Sequence, residues 1–286
     1  MSAAPHDVRS RFERFLRWTI EVEYPAHAGF LPEGEREPFG AYYRTLPARG
    51  DEAAIRRFLV GSWRGDMGWT ARWIAARRRP RVLDAGSGFG TLAMLYAAVG
   101  GEVTAVDLRP DRLQAADRRL AFYRETTGES LAVRNQRADL TQPWAEQVDL
   151  VWVYNALSHI EPLDPFVQAV RDHLRPGGVL VIGDINGGNS AHQRRLQQLR
   201  TEVSQEYVAP DGQRHTYAVE RTFTPREMRD VMERNGLRVL HHELYWGGHA
   251  VLPEPLYATV LGPLQRAWRL GQGLARRQLV VAGRAE

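Results

Sequence analysis

The sequence RVLDAGSGFGTLAMLYAAVGGEVTAVDLRPDR, residues 81–112, decides the fold of this chain. Residues 81–84 form a short, mainly apolar run that ends on an acid, as a buried strand can. Glycines follow at alternate positions, and residues 91–99 then have the apolar composition of a buried helix, which two glycines end. Residues 102–107 predict a second strand that again ends on an acid. The order of strand, glycine-rich turn, helix and parallel strand predicts a βαβ motif.

The glycine-rich turn has the properties of a nucleoside-binding site. Gly86, Gly88 and Gly90 let the backbone take positive φ and let a ligand approach closely. The N–H groups of the turn and of the following helix attract electron-rich groups, and Asp107 can accept hydrogen bonds from two ribose hydroxyls. Thr91 stands where the dinucleotide motif G-x-G-x-x-G requires its third glycine, and no G-x-x-x-x-G-K-[ST] phosphate loop is present.

The segment D-A-G-S-G-F-G at residues 84–90, followed by V-D at 106–107, resembles the first two motifs of class I S-adenosylmethionine-dependent methyltransferases. The segment L-R-P-G-G-V-L-V at residues 174–181 resembles the same family's stretch before its fifth strand. The resemblance covers residues 80–185, is looser over 224–286 and is absent from 1–78. It implies an α/β fold with a seven-stranded, mostly parallel Rossmann-like sheet and helices on both faces. The alternative is an NAD-type turn or a chance cluster of glycines.

The resemblance also implies S-adenosylmethionine as the cofactor and assigns residues to it. Asp84 and the glycine turn would shape the pocket for the methionine part, Asp107 would hold the ribose, Asp139 the adenine, and Asn155 would lie beside the sulfur. The full expected cofactor-binding set is Asp84, Gly86, Ser87, Gly88, Gly90, Asp107, Leu108, Asp139, Leu140 and Asn155.

Residues 148–154 predict a central strand that runs into N-A-L-S-H-I at 155–160, where the family places residues close to the reacting methyl. The segment is not N-P-P-Y or D-P-P-Y, which argues against the subclasses that methylate amide or adenine nitrogens. His159 is the candidate general base, since imidazoles titrate near neutral pH; the alternative is a histidine that packs under the cofactor or orients a helix. Asp184, after a strand at 179–183, either orients an acceptor hydroxyl or caps the next helix. Asn186 leaves the same strand end and is a candidate acceptor contact.

The first 78 residues predict a helical cap with an aromatic lid loop, ahead of a methyltransferase domain at 79–286. Residues 8–24 have the pattern of an amphipathic helix. Residues 25–50 are rich in proline and glycine and predict a loop carrying Tyr42 and Tyr43, which either covers the acceptor or is simply packed down by its aromatic rings. Residues 52–79 predict two helices broken near 65–68.

The remaining predicted elements follow the order of the family. They begin with a helix at 109–125, a strand at 131–137 and a helix at 165–174. An acceptor-pocket insertion at 186–223 follows, with a helix over 191–207 and a hairpin around Pro210-Asp211-Gly212. The last elements are a capped helix from 224 to 236, a strand at 237–245, an extra helical segment at 252–274 and an antiparallel strand at 278–282.

The composition excludes several classes of chemistry. The absence of cysteine excludes disulfides, iron–sulfur clusters, cysteine zinc sites and a cysteine nucleophile. All 38 basic residues are arginine, a usage typical of codon bias, so the net charge of +4 gives nucleic acid little support. Neither a run of about 20 apolar residues nor an apolar signal core is present, which predicts a cytoplasmic protein without a transmembrane segment. His241, His242 and His249 would need further ligands to hold a metal, and no metal site is expected.

The sequence thus predicts transfer of the sulfonium methyl to an oxygen, less readily a nitrogen, of a small-molecule acceptor such as a sugar, a phenol or a lipid-linked metabolite. Alignment of acceptor, methyl and sulfur would supply most of the acceleration. One alternative is an RNA methyltransferase, which would be expected to carry an RNA-binding module or a clustered basic face. The other is a binding or regulatory protein that keeps the cofactor fold without turnover. No pattern in the chain indicates an oligomeric state.

Overall fold

A computed structural model describes residues 5–142, 144, 146–189, 204–208, 212, 214–218, 221–245, 273 and 275–285. The chain divides into two units, Met1–Arg137 and Ala138–Glu286. Within the described residues, no helix combines the length and the apolar character needed to cross a membrane.

The N-terminal unit consists of a helical segment followed by the βαβ motif. Its helices are α1 (Pro5–Trp18), α2 (Tyr24–Phe30), α3 (Glu33–Tyr43), α4 (Glu52–Arg64), α5 (Asp66–Ala75), α6 (Thr91–Ala98) and α7 (Pro110–Thr127), with a π-helical segment at Thr19–Glu23, and its strands are β1 (Arg81–Ala85), β2 (Glu102–Asp107) and β3 (Val133–Arg137).

The amphipathic helix predicted over residues 8–24 is confirmed as α1 and the π-helical segment that continues it. Phe12, Phe15 and Ile20 are buried in the core, which is the face that their spacing predicts. The break predicted near residues 65–68 is also confirmed, because α4 ends at Arg64 and α5 begins at Asp66.

The loop predicted over residues 25–50 is wrong for most of its length, because α2 and α3 occupy Tyr24–Phe30 and Glu33–Tyr43. Pro25 lies in the first turn of α2, directly after the π-helical segment. Phe39 is fully buried and packs against Phe89 with ring centroids 5.5 Å apart. Tertiary burial therefore outweighs the low helix propensity of the prolines and glycines.

The C-terminal unit contains the remaining described strands, β4 to β9. Its elements are β4 (Val148–Tyr154), a 3-10 turn at Leu157–His159, α8 (Leu163–His173), β5 (Leu174–Ile185), β6 (Ser204–Val208), β7 (Arg214–Ala218), α9 (Pro225–Arg234), β8 (Leu237–Tyr245) and β9 (Arg277–Arg284). The predicted capping box of α9 is confirmed, with Thr224 Oγ1 accepting from Glu227 N at 3.2 Å and Glu227 Oε2 accepting from Thr224 N at 2.8 Å.

Seven strands form one sheet in the order β3-β2-β1-β4-β5-β9-β8, and β6 and β7 form a separate hairpin. The strand pairs β1–β2, β2–β3 and β4–β5 are parallel, whereas β9 is antiparallel to both β5 and β8. The predicted seven-stranded, mostly parallel Rossmann-like sheet and the antiparallel last strand are thus confirmed. Because β9 runs antiparallel, its first residue, Arg277, is paired with Ile185 at the carboxyl end of β5.

Four predictions fall wholly or partly outside the described residues. For the helix predicted over 191–207, residues 191–203 lie outside the described residues. The prediction is wrong for residues 204–207, because β6 begins at Ser204. The extra helical segment at 252–274, apart from residue 273, and His249 also lie outside the described residues. The hairpin prediction is confirmed by β6 and β7, while Pro210 and Asp211 of its turn lie outside them.

Candidate active site

The glycine turn of the N-terminal unit has the backbone conformation that its sequence predicts. Gly86, Gly88 and Gly90 have φ of 74°, 53° and 75°, values in the left-handed region that glycine reaches without strain. The N–H groups of Gly86 and Ser87 both donate to the carbonyl of Val106 at 2.9 Å. The turn is therefore held against the end of β2 by its own backbone.

Asp107 ties the turn to β2 through both carboxylate oxygens. Its Oδ2 accepts from Gly88 N at 2.8 Å, and its Oδ1 accepts from Arg109 N at 2.9 Å. The residue is 8% exposed, so these bonds are shielded from water. A carboxylate oxygen can accept more than one hydrogen bond, and Asp107 therefore retains acceptor capacity for the two hydroxyls of a ribose. Leu108 follows it, and its carbonyl accepts from Arg137 Nε at 3.3 Å.

Asp84 and Ser87 present buried polar atoms beside the same turn. Within the part of the chain that the structure describes, Asp84 Oδ2 and Ser87 Oγ have no hydrogen-bond partner. Burial and, to a smaller extent, the neighbouring charge of Asp107 raise the pKa of Asp84 to about 7, although a hydrogen bond from the Ala93 backbone opposes both effects. Buried polar atoms without partners are uncommon in native proteins, and here they fit a polar, partly cationic ligand such as the methionine part of the expected cofactor.

In the C-terminal unit, Asn155 directly follows β4 and has φ of 49°, a left-handed conformation that asparagine tolerates better than most residues. Its Oδ1 accepts from Arg277 Nη1 at 2.9 Å. Arg277 Nε donates to the Tyr245 hydroxyl at 3.1 Å, and the guanidinium lies 4.6 Å from the ring centroid of Tyr154. Arg277 is not among the predicted site residues. It directly precedes the strand predicted at 278–282, and the antiparallel direction predicted for that strand places its start at the edge where β4 and β5 end.

His159 and Asp184 interact electrostatically within the same unit. His159 ends the 3-10 turn and is half-buried, and Asp184 is 3% exposed. Burial raises the pKa of Asp184, while a backbone hydrogen bond from Ile185 and the charges of Arg277 and His159 lower it. Asp184 Oδ1 accepts from Ile185 N at 2.7 Å, and Oδ2 has no hydrogen-bond partner among the described residues. The carboxylate is thus within electrostatic reach of the imidazole and has acceptor capacity to spare.

Asp139 and Leu140 lie in the turn after β3. Asp139 Oδ1 accepts from the Thr141 backbone N at 2.9 Å and hydroxyl at 2.7 Å, and Oδ2 lies 3.9 Å from His215 Nδ1. Leu140 is 7% exposed. These contacts shape the turn, and the contact of both residues with adenine stays a prediction.

The three residues expected to contact the acceptor differ in exposure and in hydrogen bonding. Tyr42 is 56% exposed, whereas Tyr43 is 6% exposed and its hydroxyl accepts from Arg119 Nη1 at 3.2 Å. Asn186 is fully buried, with its amide donating to the Ala275 carbonyl at 2.9 Å and accepting from Gly188 N at 2.9 Å. Tyr43 and Asn186 thus have structural contacts, and an acceptor contact by any of the three stays a prediction.

Comparison with known proteins points to one family. Residues 83–180 match a methyltransferase domain family. Over 191 residues the chain is 29% identical to the ubiquinone biosynthesis O-methyltransferase of Methylocella silvestris, covering 66% of this chain and 65%, just under two thirds, of that relative. It is 28% identical over 206 residues to the enzyme of the same name from Ruegeria pomeroyi, covering 72% of this chain and 75% of the relative. The magnesium protoporphyrin IX methyltransferase of Synechocystis PCC 6803, solved with S-adenosylhomocysteine, shares the fold with a TM-score of 0.54 at 14% identity, covering 87% of this chain and 95% of that one.

Proposed function

Because this chain belongs to the class I S-adenosylmethionine-dependent methyltransferases, we propose that it transfers a methyl group to an oxygen of a small-molecule acceptor. The observation that carries the proposal is the glycine turn, which Asp107 and Val106 hold in place. Asp84 Oδ2 and Ser87 Oγ lie beside that turn without a partner among the described residues. A ligand with ribose hydroxyls and a cationic amino acid part matches both the acceptor capacity and the negative charge found there.

S-adenosylmethionine, when bound, supplies a methyl group on a positively charged sulfonium. The glycine turn would approach the methionine part closely, and Asp107 would orient the ribose. A direct displacement requires only that acceptor oxygen, methyl carbon and sulfur are aligned, so orientation is the main task of the residues around them.

His159 would accept the proton that the acceptor hydroxyl loses as the new bond forms. Asp184 supports this role because its carboxylate is near the imidazole and would stabilise the imidazolium that results. The imidazole would thereby hold the proton until the product leaves. Arg277 and Asn155 hold each other at the end of β4 and would order the backbone next to this pair.

Oxygen is favoured as the methylated atom by two observations. The two relatives described above are both named O-methyltransferases. Residues 155–158 read Asn-Ala-Leu-Ser, which lacks the N-P-P-Y or D-P-P-Y pattern of enzymes that methylate amide or adenine nitrogens. Hydroxylated small molecules, phenols among them, are therefore the first acceptors to test, followed by sugars and lipid-linked metabolites.

Calorimetric titration of the full chain with S-adenosylhomocysteine, with NAD as the control ligand, tests the proposal. We expect micromolar binding of S-adenosylhomocysteine and no binding of NAD. Tighter binding of NAD, or no binding of S-adenosylhomocysteine, would contradict the proposal. A protein that binds then enters a screen of hydroxylated small molecules with radiolabelled S-adenosylmethionine, in which label on a hydroxyl oxygen is the expected result.

Cofactor affinity should fall with acidity as Asp84 takes up a proton. The pKa of Asp84 is raised to about 7 in the ligand-free protein, and a cationic amino group binds better to the ionised carboxylate. Affinity should level off about one pH unit above this pKa and fall below pH 7, approaching tenfold for each pH unit. Titrations from pH 5.5 to 7.5, in buffers of different ionisation enthalpy, should also show that binding releases a proton.

The variant Asp84→Asn is the control for this pH dependence. Its affinity should be low and nearly independent of pH over the same range. Because the folded pKa of Asp84 is raised from its ordinary 3.8, the ligand-free wild type should lose stability as the pH rises from about 4 to about 7, and the variant should lack this component. A wild-type affinity that does not change between pH 5.5 and 7.5 would contradict a cation contact at Asp84.

A further inference from the structure

A fully buried ion pair lies behind the glycine turn of the N-terminal unit. Arg119 of α7 and Glu23 of the π-helical segment both have fully buried side chains. Arg119 Nε and Nη2 donate to the two carboxylate oxygens of Glu23, each at 2.7 Å. This is the bidentate arrangement for which the planar guanidinium is suited. The two residues are 96 positions apart in the sequence, so the pair joins the N-terminal helices to the βαβ motif.

The remaining nitrogen of the same guanidinium reaches the turn itself. Arg119 Nη1 donates to the Phe89 carbonyl, and to Thr91 Oγ1 at 2.7 Å. Phe89 and Thr91 flank Gly90, the third glycine of the motif and the residue that caps α6. The guanidinium therefore binds a backbone carbonyl before Gly90 and a side-chain hydroxyl after it, at the position where the turn becomes a helix.

The N-terminal helices close around the guanidinium. The hydroxyl of Tyr43 in α3 accepts from Arg119 Nη1 at 3.2 Å. The rings of Phe39 and Tyr43 lie 5.2 Å and 5.4 Å from the guanidinium carbon, within the range of a cation–π contact. Burial opposes the charge of Arg119, but Glu23 and Tyr43 raise its pKa above its ordinary value, so Arg119 is charged.

We propose that Arg119, held by Glu23 and Tyr43, is a positioning residue for cofactor binding, which makes the N-terminal helices part of the cofactor site. The guanidinium holds the Phe89 carbonyl and the Thr91 hydroxyl, and thereby sets the direction of the N–H groups that the turn presents. Asp107 fixes the turn from the β2 side through Gly88, and Arg119 fixes it from the α7 side. The inference rests on the proposed function, since it assigns these residues to the same site.

The test is a double variant that removes both charges, Glu23→Leu with Arg119→Met. Removing one partner would leave a buried charge without compensation, whereas apolar residues of similar volume in place of both are usually tolerated. The variant should fold, but its unfolding temperature should be lower than that of wild type, because the Phe89 carbonyl and the Tyr43 hydroxyl lose the donor Arg119 Nη1. Its dissociation constant for S-adenosylhomocysteine should rise at least tenfold, because the turn has lost the hydrogen bonds from Arg119.

A neighbouring ion pair provides the matched control. Arg118 Nη1 donates to Glu35 Oε1 at 2.6 Å, and this pair also joins α7 to α3 but has no contact with the glycine turn among the bonds described above. The double variant Glu35→Leu with Arg118→Met should bind S-adenosylhomocysteine as wild type does. A folded Glu23→Leu/Arg119→Met protein with wild-type affinity would overturn the proposal, and so would equal losses of affinity in the two double variants.

Two further measurements keep the test decisive. Thr91→Val removes only the contact with Thr91 Oγ1 and leaves the ion pair in place, so it should raise the dissociation constant several-fold even if the double variant does not fold. Hydrogen exchange of the amides at residues 86–91 needs no ligand, and it should be faster in the Glu23→Leu/Arg119→Met protein than in the control. Unchanged exchange would overturn the positioning role, whereas a wild type that does not bind S-adenosylhomocysteine would contradict the proposed function alone.

Discussion

Replacing Asp107 by alanine should raise the dissociation constant for S-adenosylhomocysteine by about 100-fold. A hydrogen bond to a charged group contributes about 1.5–3 kcal/mol, and two ribose hydroxyls would lose such a partner. Since about 1.4 kcal/mol corresponds to a factor of ten, the loss of two bonds reaches at least two orders of magnitude. The variant also removes the acceptor for Gly88 N, which loosens the glycine turn. Calorimetric titration at pH 7.5 measures the effect.

Two variants separate the contact with ribose from a general effect of lost charge. Asp117→Ala removes an exposed acid of the same unit whose Oδ1 accepts from Asn135 Nδ2 at 2.7 Å, and it should leave affinity unchanged. Asp107→Asn keeps the shape of the side chain but loses the charge and one acceptor oxygen, so its affinity should lie between those of wild type and Asp107→Ala. Wild-type affinity in Asp107→Ala would mean that the end of β2 does not contact the ribose.

Replacing His159 by alanine should lower kcat by about 10²–10⁴-fold, the usual contribution of a positioned general base, with the dissociation constant for S-adenosylhomocysteine nearly unchanged. The imidazole would act on the acceptor hydroxyl, so its removal should affect the reaction step rather than cofactor binding. Initial rates are measured with the best acceptor from the screen. His241→Ala is the control, because that histidine lies on β8 and contacts Glu243 at 3.5 Å.

The acidity of the acceptor distinguishes a base from a residue that only orients the substrate. A more acidic hydroxyl loses its proton without help, so the defect of His159→Ala should shrink along a series of ring-substituted phenols of falling pKa. A defect of constant size along that series would assign His159 to orientation. Full activity of the variant with every acceptor would remove His159 from the mechanism.

The parts of the site that the sequence predicts best are those set by local backbone geometry. Alternating glycines require positive φ, and Gly86, Gly88 and Gly90 all have it. An acidic side chain at the end of a strand next to such a turn lies close to the N–H groups of the turn, and Asp107 accepts a hydrogen bond from Gly88 N. Both features depend on residues less than 25 positions apart, so the order of residues along the chain already contains them.

The loop prediction for residues 25–50 is wrong because helix propensity is a weak guide where tertiary contacts determine the secondary structure. Proline and glycine lower the helical preference of this stretch, but α2 and α3 form because Phe39 and Tyr43 are buried against Phe89 and Arg119. Those partners lie 46 or more positions later in the chain. A local pattern cannot show that they will be there.

The remaining unpredicted residues are also defined by distant partners. Arg119 has no motif around it, and its role follows from Glu23, 96 positions earlier. Arg277 meets Asn155 across 122 positions. Of these two arginines, only Arg277 could have been located from the sequence, because it lies at the start of the strand predicted to be antiparallel in a mostly parallel sheet.

The guanidinium of Arg119 also limits how the protein can be engineered. All 38 basic residues of the chain are arginine, so a general exchange of arginine for lysine would keep the net charge and is a natural route to altered surface hydration. Exposed positions such as Arg226, whose side chain is 91% exposed, should accept the exchange. Arg119 should not tolerate lysine. Its three side-chain nitrogens donate hydrogen bonds to four different residues in fixed directions, and the single ammonium group of lysine cannot make all of these bonds.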